Sequence, residues 1–383
     1  MKPRAIWRTF DGLSLLLTLL LVVTGCVMIY SAYEISMPTA GQFVWGNSVV
    51  RQAAFAGMGL AIYALLALVD YDVWLRLYRW IYGFVLLLLA GTLLLGQSRF
   101  GAQSWFEFAL FDVQPSELCK VLMILVLARV LGRSQARLES PLPLFEALAM
   151  VLPPVVMIYV QPDFGLAMIL LATAAGMIFL SGVRWRHLLL ILIVLAAIAP
   201  LIWFQLEDYM RGRILQFLMP SAHASDDSYN INQALISIGS GGLWGKGLLQ
   251  GTQTQLYFLR VRHTDFIFSV LAEELGFVGA ATLIGVFALL IASLVRTALQ
   301  ARDAGGRLIV GGVATMLLLQ TFINIGMNAN LLPVSGLPLP LVSYGGSSLV
   351  TTLAALGLAQ SVALRRERPE PLLPRSSIQG RSL

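Results

Sequence analysis

The sequence predicts an all-α polytopic integral membrane protein of about ten transmembrane helices, with both termini in the cytoplasm and a large extracytoplasmic loop between spans seven and eight. Composition is the first reason. Of 383 residues, 58% are hydrophobic and 12% charged, roughly half the charged share of a soluble domain. The second reason is run length: apolar runs able to cross a ~30 Å hydrocarbon core lie at about 12–31, 52–69, 77–96, 116–132, 143–160, 165–181, 187–205, 266–295, 308–330 and 342–364. The third is the placement of Lys and Arg. Of the 26, 18 fall at the termini and in the loops sharing their side, and 8 on the other, which puts the termini inside.

Taken in order, the first run follows Lys2, Arg4 and Arg8 as a signal peptide would, but it is longer than an h-region and more spans follow, so it reads as a retained helix. The loops after it alternate in charge. Arg76 and Arg79, then Arg129, Arg133 and Arg137, then Arg184 and Arg186, then Arg296, Arg302 and Arg307 mark the inner side. The net charge of +6 is therefore a topology signal and not a nucleic-acid footprint. The outer loop at about 206–265 is the longest, and long loops in compact proteins usually carry function. Residues 1–364 form one membrane domain on this reading, and 365–383, with scattered charge and three prolines, form a disordered cytoplasmic tail. The only cysteines, Cys26 and Cys119, sit inside apolar runs, which argues against a disulfide framework or a cysteine metal site. No inverted repeat of the transporter kind is visible.

Charges at membrane depth are costly and so come first as candidates. Glu117 and Lys120, in Gln114-Pro115-Ser116-Glu117-Leu118-Cys119-Lys120, share one helix face near the outer end of the fourth span. They form either a structural ion pair or the wall of a polar substrate cavity. Asp163, in Gln161-Pro162-Asp163-Phe164-Gly165, stands at an outward turn where capping the sixth span is the simplest role. Glu273 and Glu274 lie two turns into the eighth span, and at least one is expected to pair with a polar group of the bundle. The stretch Gly239-Ser240-Gly241-Gly242-Leu243-Trp244-Gly245-Lys246-Gly247 is either a flexible loop or an anion cradle. It is not a Walker loop, because Gly follows the lysine, so no nucleotide is expected. Arg260-Val261-Arg262-His263-Thr264-Asp265 places an acid, an imidazole and two guanidiniums at headgroup level, with helix capping as the alternative for Asp265. The uncharged segment with Pro333, Pro338 and Pro340 reads as a re-entrant or tightly packed turn.

These strings, in this order, resemble the shape, elongation, division and sporulation (SEDS) family, from the first span to about residue 364. The resemblance rests on Gln114-Pro115-Ser116-Glu117 with Lys120, Gln161-Pro162-Asp163, Gly239-Ser240-Gly241-Gly242 with Gly245-Lys246-Gly247, Gly251-Thr252-Gln253, His263-Thr264-Asp265-Phe266-Ile267-Phe268 and Ser343-Tyr344-Gly345-Gly346-Ser347-Ser348. The Pro333–Pro340 segment is closer to the elongation branch than to the division branch. Two positions depart from the family: Arg260-Val261 stands where Pro-Glu is usual, leaving no second carboxylate beside Asp265, and Ser104 stands where Arg often precedes Trp105.

The resemblance implies a peptidoglycan glycosyltransferase in the bacterial cytoplasmic membrane, polymerising lipid II on its outer face during cell elongation. A GlcNAc 4-hydroxyl would attack the anomeric carbon of a MurNAc, with inversion, and undecaprenyl diphosphate would leave. It marks Asp265 as the essential acid and the Glu117/Lys120 pair as important. A diphosphate leaves without a general acid, so one carboxylate acting as base replaces the usual pair. The outward cations Lys120, Arg211, Arg213, Lys246, Arg260 and Arg262 are then the candidates to neutralise it, and Mg²⁺ or Mn²⁺ is a further candidate for that task. Expected partners are the nascent glycan strand, a class B penicillin-binding protein transpeptidase and other elongation-complex membrane proteins. The competing class is a flippase or transporter for the same lipid.

Overall fold

The computed structural model describes residues 9–33, 48–99, 102–107, 112–133, 142–184, 208–218, 226–256, 258–259 and 263–366, with positions 186, 187, 189, 193 and 204. The chain is mostly helical. In order come α1 (Gly12–Tyr33), α2 (Ser48–Leu68), α3 (Tyr71–Arg76), α4 (Tyr78–Leu95), the short strands β1 (Gln97–Arg99), β2 (Ala102–Glu107) and β3 (Asp112–Val113), then α5 (Pro115–Arg133), α6 (Leu142–Val160) and α7 (Phe164–Leu180). After them follow α8 (Asp208–Leu218), α9 (Asp226–Ser240), α10 (Thr252–Gln255), α11 (Ile267–Leu299), α12 (Ala304–Asn328) and α13 (Gly346–Leu364).

Among the described residues, seven helices are long and apolar enough to cross a membrane: α1, α2, α4, α6, α11, α12 and α13. The shorter α7 is also apolar, and α5 coincides with the fourth expected run but carries Glu117, Lys120, Arg129 and Arg133. The seventh expected run, 187–205, lies almost entirely outside the described residues. So does the expected tail beyond Arg366.

The helices start where short polar side chains replace missing intrahelical partners. Asp70 accepts from Asp72 N, Asp163 from Leu166 N and Asp303 from Gly306 N, capping α3, α7 and α12. Packing centres on α13 and α12. In α13, 89% of the most apolar window is buried, and the helix lies against α2, α5 and α12, while α12 also touches α11 and α7. The outer helices turn Leu16, Leu65, Leu87, Leu94 and Phe179 outward, as lipid-facing surfaces do.

Two features depart from the expected all-α architecture of straight spans. Residues 97–113 form a small antiparallel sheet in the order β1-β2-β3, in which the aromatic pair Trp105 and Phe106 suits a half-buried pleated surface. The eighth expected span is not one straight rod. At 1.5 Å per residue the 33-residue α11 would reach ~50 Å, well beyond a ~30 Å core, and it is broken at Gly276, with φ 67° and ψ −166°.

The glycine-rich stretch repairs that break. Lys246 N and Gly247 N donate to Glu273 O and Glu274 O at 3.0 Å each, while Phe277 N and Val278 N donate to Gly242 O and Leu243 O at 2.8 and 3.1 Å. The main-chain groups freed on both sides of Gly276 are thus satisfied by a neighbouring segment, as a low-dielectric medium requires. Close approach explains the composition. A Cβ on Gly245, at φ +79°, would lie 2.1 Å from Glu274 O, and one on Gly276 would lie 2.2 Å from Gly245 N.

Candidate active site

At one end of the bundle, α5 and the cap of α7 bring charged groups into the interior, and α12 and α13 bring uncharged polar ones. Glu117 and Lys120, one turn apart on α5, form an ion pair of 2.9 Å with both side chains 3% exposed. Lys120 Nζ also donates to Gln320 Oε1 at 3.4 Å, and Thr351 Oγ1 to Glu117 Oε2 at 3.5 Å. Asp163 does two jobs here. Its Oδ1 caps α7, and its Oδ2 accepts from Gln114 Nε2 at 2.8 Å. Burial pushes its carboxyl up to about 6, and the charge of Glu117 adds to the rise, while the Leu166 amide, Lys120 and Gln114 oppose it. Gln114 N in turn donates to Ser347 Oγ at 3.1 Å, so the Gln114–Lys120, Gln161–Asp163 and Ser343–Ser348 strings meet in space.

Asp265 lies at the same end, in the turn before α11. It is partly buried. Its backbone carbonyl accepts from Asn324 Nδ2 at 3.1 Å and Asn328 Nδ2 at 2.9 Å. Asn328 Oδ1 takes the Ser269 hydroxyl at 2.6 Å, so α12 grips the turn and the first turn of α11 together. The segment 339–345 holds the other side: Ser343 Oγ donates to Thr264 O at 2.5 Å, and Tyr344 N to His263 O at 2.9 Å. The Tyr344 and His263 rings meet edge to face, 5.7 Å between centroids. Phe266 is the N-cap residue of α11 and makes no side-chain cap bond.

The other candidates are distributed. Lys246 Nζ contacts Glu273 Oε1 at 2.7 Å and Thr252 Oγ1 at 2.8 Å. Glu273, fully buried, also accepts from Gln253 N at 3.0 Å and from Thr252 Oγ1 and Thr254 Oγ1. The glycine loop with its lysine therefore cradles an anion supplied by the chain itself. Glu274 Oε1 accepts from Ser31 Oγ at 2.5 Å. Arg211 and Arg213 ride on α8: Arg211 Nη2 donates to Phe204 O at 2.7 Å, and Arg213 edges a cavity of about 130 Å³ whose other walls include Phe164, Met168, Ile323 and Pro333. Arg260 and Arg262 lie outside the described residues. Among the described residues no three His, Cys, Asp or Glu side chains converge as a metal site.

Gln320, Asn324 and Asn328 were not among the candidates, although a readable signal existed. Polar residues at i, i+4 and i+8 in an apolar run share one helix face, and here that face, fully buried, links Lys120 to the Asp265 turn.

Among the described residues, seven bilayer-length helices together with buried carboxylates, a lysine and amides define a polytopic membrane protein. A match to the FtsW/RodA/SpoVE cell cycle protein family runs over residues 12–368, and the chain belongs to that family. The peptidoglycan glycosyltransferase MrdB of Escherichia coli K12 is 37% identical over 358 residues, covering 93% of this chain and 94% of that protein. A probable peptidoglycan glycosyltransferase FtsW of Marinobacter nauticus is 38% identical over 355 residues, covering 91% and 88%. The rod shape determining protein RodA of Thermus thermophilus superposes with a TM-score of 0.68 at 33% identity, over 94% of this chain and 98% of that one. A chain from a peptidoglycan synthase complex that coordinates polymerization and crosslinking gives 0.80 at 34% identity, over 94% and 99%.

Proposed function

We propose that this protein is a peptidoglycan glycosyltransferase of the bacterial cytoplasmic membrane, polymerising lipid II into glycan strands during cell elongation. Family membership together with similarity to named glycosyltransferases over nine tenths of the chain supports that reading. Asp265 is the general base that takes the proton of the acceptor GlcNAc 4-hydroxyl, and the diphosphate departs without a general acid. The observation that carries this role is the clamp on its turn: Asn324, Asn328 and Ser343 fix the backbone on both sides of Asp265. Rigid support of this kind is what a positioned base needs.

Neutralising the departing phosphates is assigned to Arg211, Arg213, Arg260 and Arg262 together with Lys120 and Lys246, which are also paired with Glu117 and Glu273, and His263 and Tyr344 are further proposed substrate contacts. Glu117, Lys120 and Asp163 are the proposed polar wall of the substrate site. A divalent cation, Mg²⁺ or Mn²⁺, is a proposed companion of the diphosphate. The topology proposed is ten spans over residues 1–364, both termini cytoplasmic, the 206–265 loop outside and 365–383 a tail. The proposed partners are a class B penicillin-binding protein transpeptidase and other elongation-complex membrane proteins, and the likeness to a synthase-complex chain supports the first.

A flippase for the same lipid must open its cytoplasmic end. In that reading the contacts Arg365 to Asp70 at 3.2 Å, Arg302 to Asp72 at 3.0 Å and Tyr71 to Asp303 at 2.6 Å would have to break in every cycle. The test is purified protein incubated with lipid II and moenomycin, the latter to silence contaminating polymerases of the other class. Glycan strands on a gel are expected, and their absence under conditions where the protein stays folded contradicts the proposal.

A further inference from the structure

At the end of the bundle opposite Asp265, two sets of charges behave differently. Asp70, Asp72 and Asp303 are consumed by Arg365, Arg302 and Tyr71. Arg76, Arg79, Arg129 and Arg133 have no carboxylate partner among the described residues. These four are not merely scattered along the surface. Arg79, at the start of α4, and Arg133, at the end of α5, converge on one phenol: Arg79 Nε and Arg133 Nη1 donate to the Tyr78 hydroxyl at 3.0 and 3.2 Å. Their guanidinium carbons lie 5.7 and 5.1 Å from the centroid of the same ring.

Holding two guanidiniums together on a neutral oxygen leaves their repulsion unrelieved, and the hydroxyl proton remains available for a further acceptor. Tyr78 is only 8% exposed, so the pair is braced from beneath, while both guanidinium side chains stay open to solvent. One turn before Arg133, Arg129 Nε is a buried donor with no hydrogen-bond partner. The surroundings say what kind of anion fits. Trp80, 80% exposed, and Leu77, Phe84 and Leu87 are exposed along the same helix end, the combination of aromatic ring and cations found where acyl chains meet headgroups.

We propose that the surface where the start of α4 meets the end of α5 binds the phosphate of an anionic phospholipid headgroup, held by Arg79 and Arg133 with the Tyr78 hydroxyl as third donor. The acyl chains run along the exposed face of α4 past Trp80 and Phe84. The site is separate from the Asp265 end, so it holds or fails independently of the proposed activity.

The experiment is native mass spectrometry of the full chain in neutral detergent, with phosphatidylglycerol or phosphatidylcholine added at equal mole fraction. Phosphatidylglycerol should be retained preferentially. The variant carrying Arg79→Gln and Arg133→Gln should weaken that retention by roughly thirtyfold, the loss expected for two charges at an anionic lipid surface. Arg307→Gln, at an exposed position of α12, should leave it unchanged. Tyr78→Phe, which keeps every charge, should give an intermediate loss and serves alone if the double variant melts at a lower temperature. Equal retention of the two lipids, or retention indifferent to both Tyr78→Phe and the arginine pair, overturns the site. Full displacement of phosphatidylglycerol by excess inorganic phosphate overturns the lipid assignment in favour of a free anion.

Discussion

Breaking the Glu117–Lys120 pair is expected to cost far more than the contact is worth net. At 2.9 Å, an effective dielectric of 20 gives roughly 5–6 kcal/mol of attraction, most of it offset by desolvating both ions. Removing one partner strands the other, since Lys120 is left with Gln320 at 3.4 Å and Glu117 with Thr351 at 3.5 Å, both at the limit of hydrogen bonding. Glu117→Gln and Lys120→Met, which keep the volume, should each therefore destabilise by about 3–5 kcal/mol. The double variant leaves neither member of the pair stranded and should be no worse than the more damaging single, giving a coupling of about 3 kcal/mol. Denaturation midpoints in detergent, with glycan synthesis measured in parallel, read the cycle. Losses that add to within about 0.5 kcal/mol would show that the two residues act separately, and the pair could not then be treated as one unit of the proposed site.

Three further outcomes follow from other parts of the molecule. Asp163 titrates near 6, above its unfolded value, so the native state binds the extra proton and the stability this contributes is present below about pH 4 and lost as pH rises through 6. Asp163→Asn, which retains a capping oxygen, should flatten that limb of the melting profile; an unchanged limb would assign it to another group. Gly245→Ala should lower the melting temperature and abolish synthesis, because its Cβ would lie 2.1 Å from Glu274 O at a left-handed φ; a stable, active variant would mean the loop-to-α11 exchange is not needed. A reporter fused after Arg365 should be cytoplasmic and one inserted near Asp226 external, and protease access to Asp226 from the inner side would invert the proposed topology.

Run length made the helices legible, because nothing but a helix satisfies its own backbone across ~30 Å of lipid. Strands of three, six and two residues between α4 and α5 offer too few alternations to be read. The break at Gly276 was hidden for another reason. Its cue is the second glycine set at 241–247, and only the fold shows that the two sets exchange hydrogen bonds. Lys246 carried the wrong emphasis in the same way: a lysine among glycines suits any anion, and Glu273, 27 residues on, is the one it meets. The strings that carry the proposed site were readable as residues. What joins them, the Gln320–Asn324–Asn328 face of α12, was legible as periodicity but has no charge to draw attention to it.

The proposed role of Asp265 is that of a base and not of a structural residue, and one substitution separates the two. Asn is itself a good N-cap, and loss of a cap costs only about 0.5–2 kcal/mol, whereas a positioned base contributes ~10²–10⁴-fold in rate. The Asp265 backbone carbonyl, held by Asn324 and Asn328, is unchanged in Asp265→Asn. The purified variant, given lipid II in the presence of moenomycin, should match the wild type in melting temperature and membrane insertion while its glycan synthesis falls at least a hundredfold. Synthesis at close to the wild-type rate would contradict the account and move the search for the base to Asp163 or Glu117.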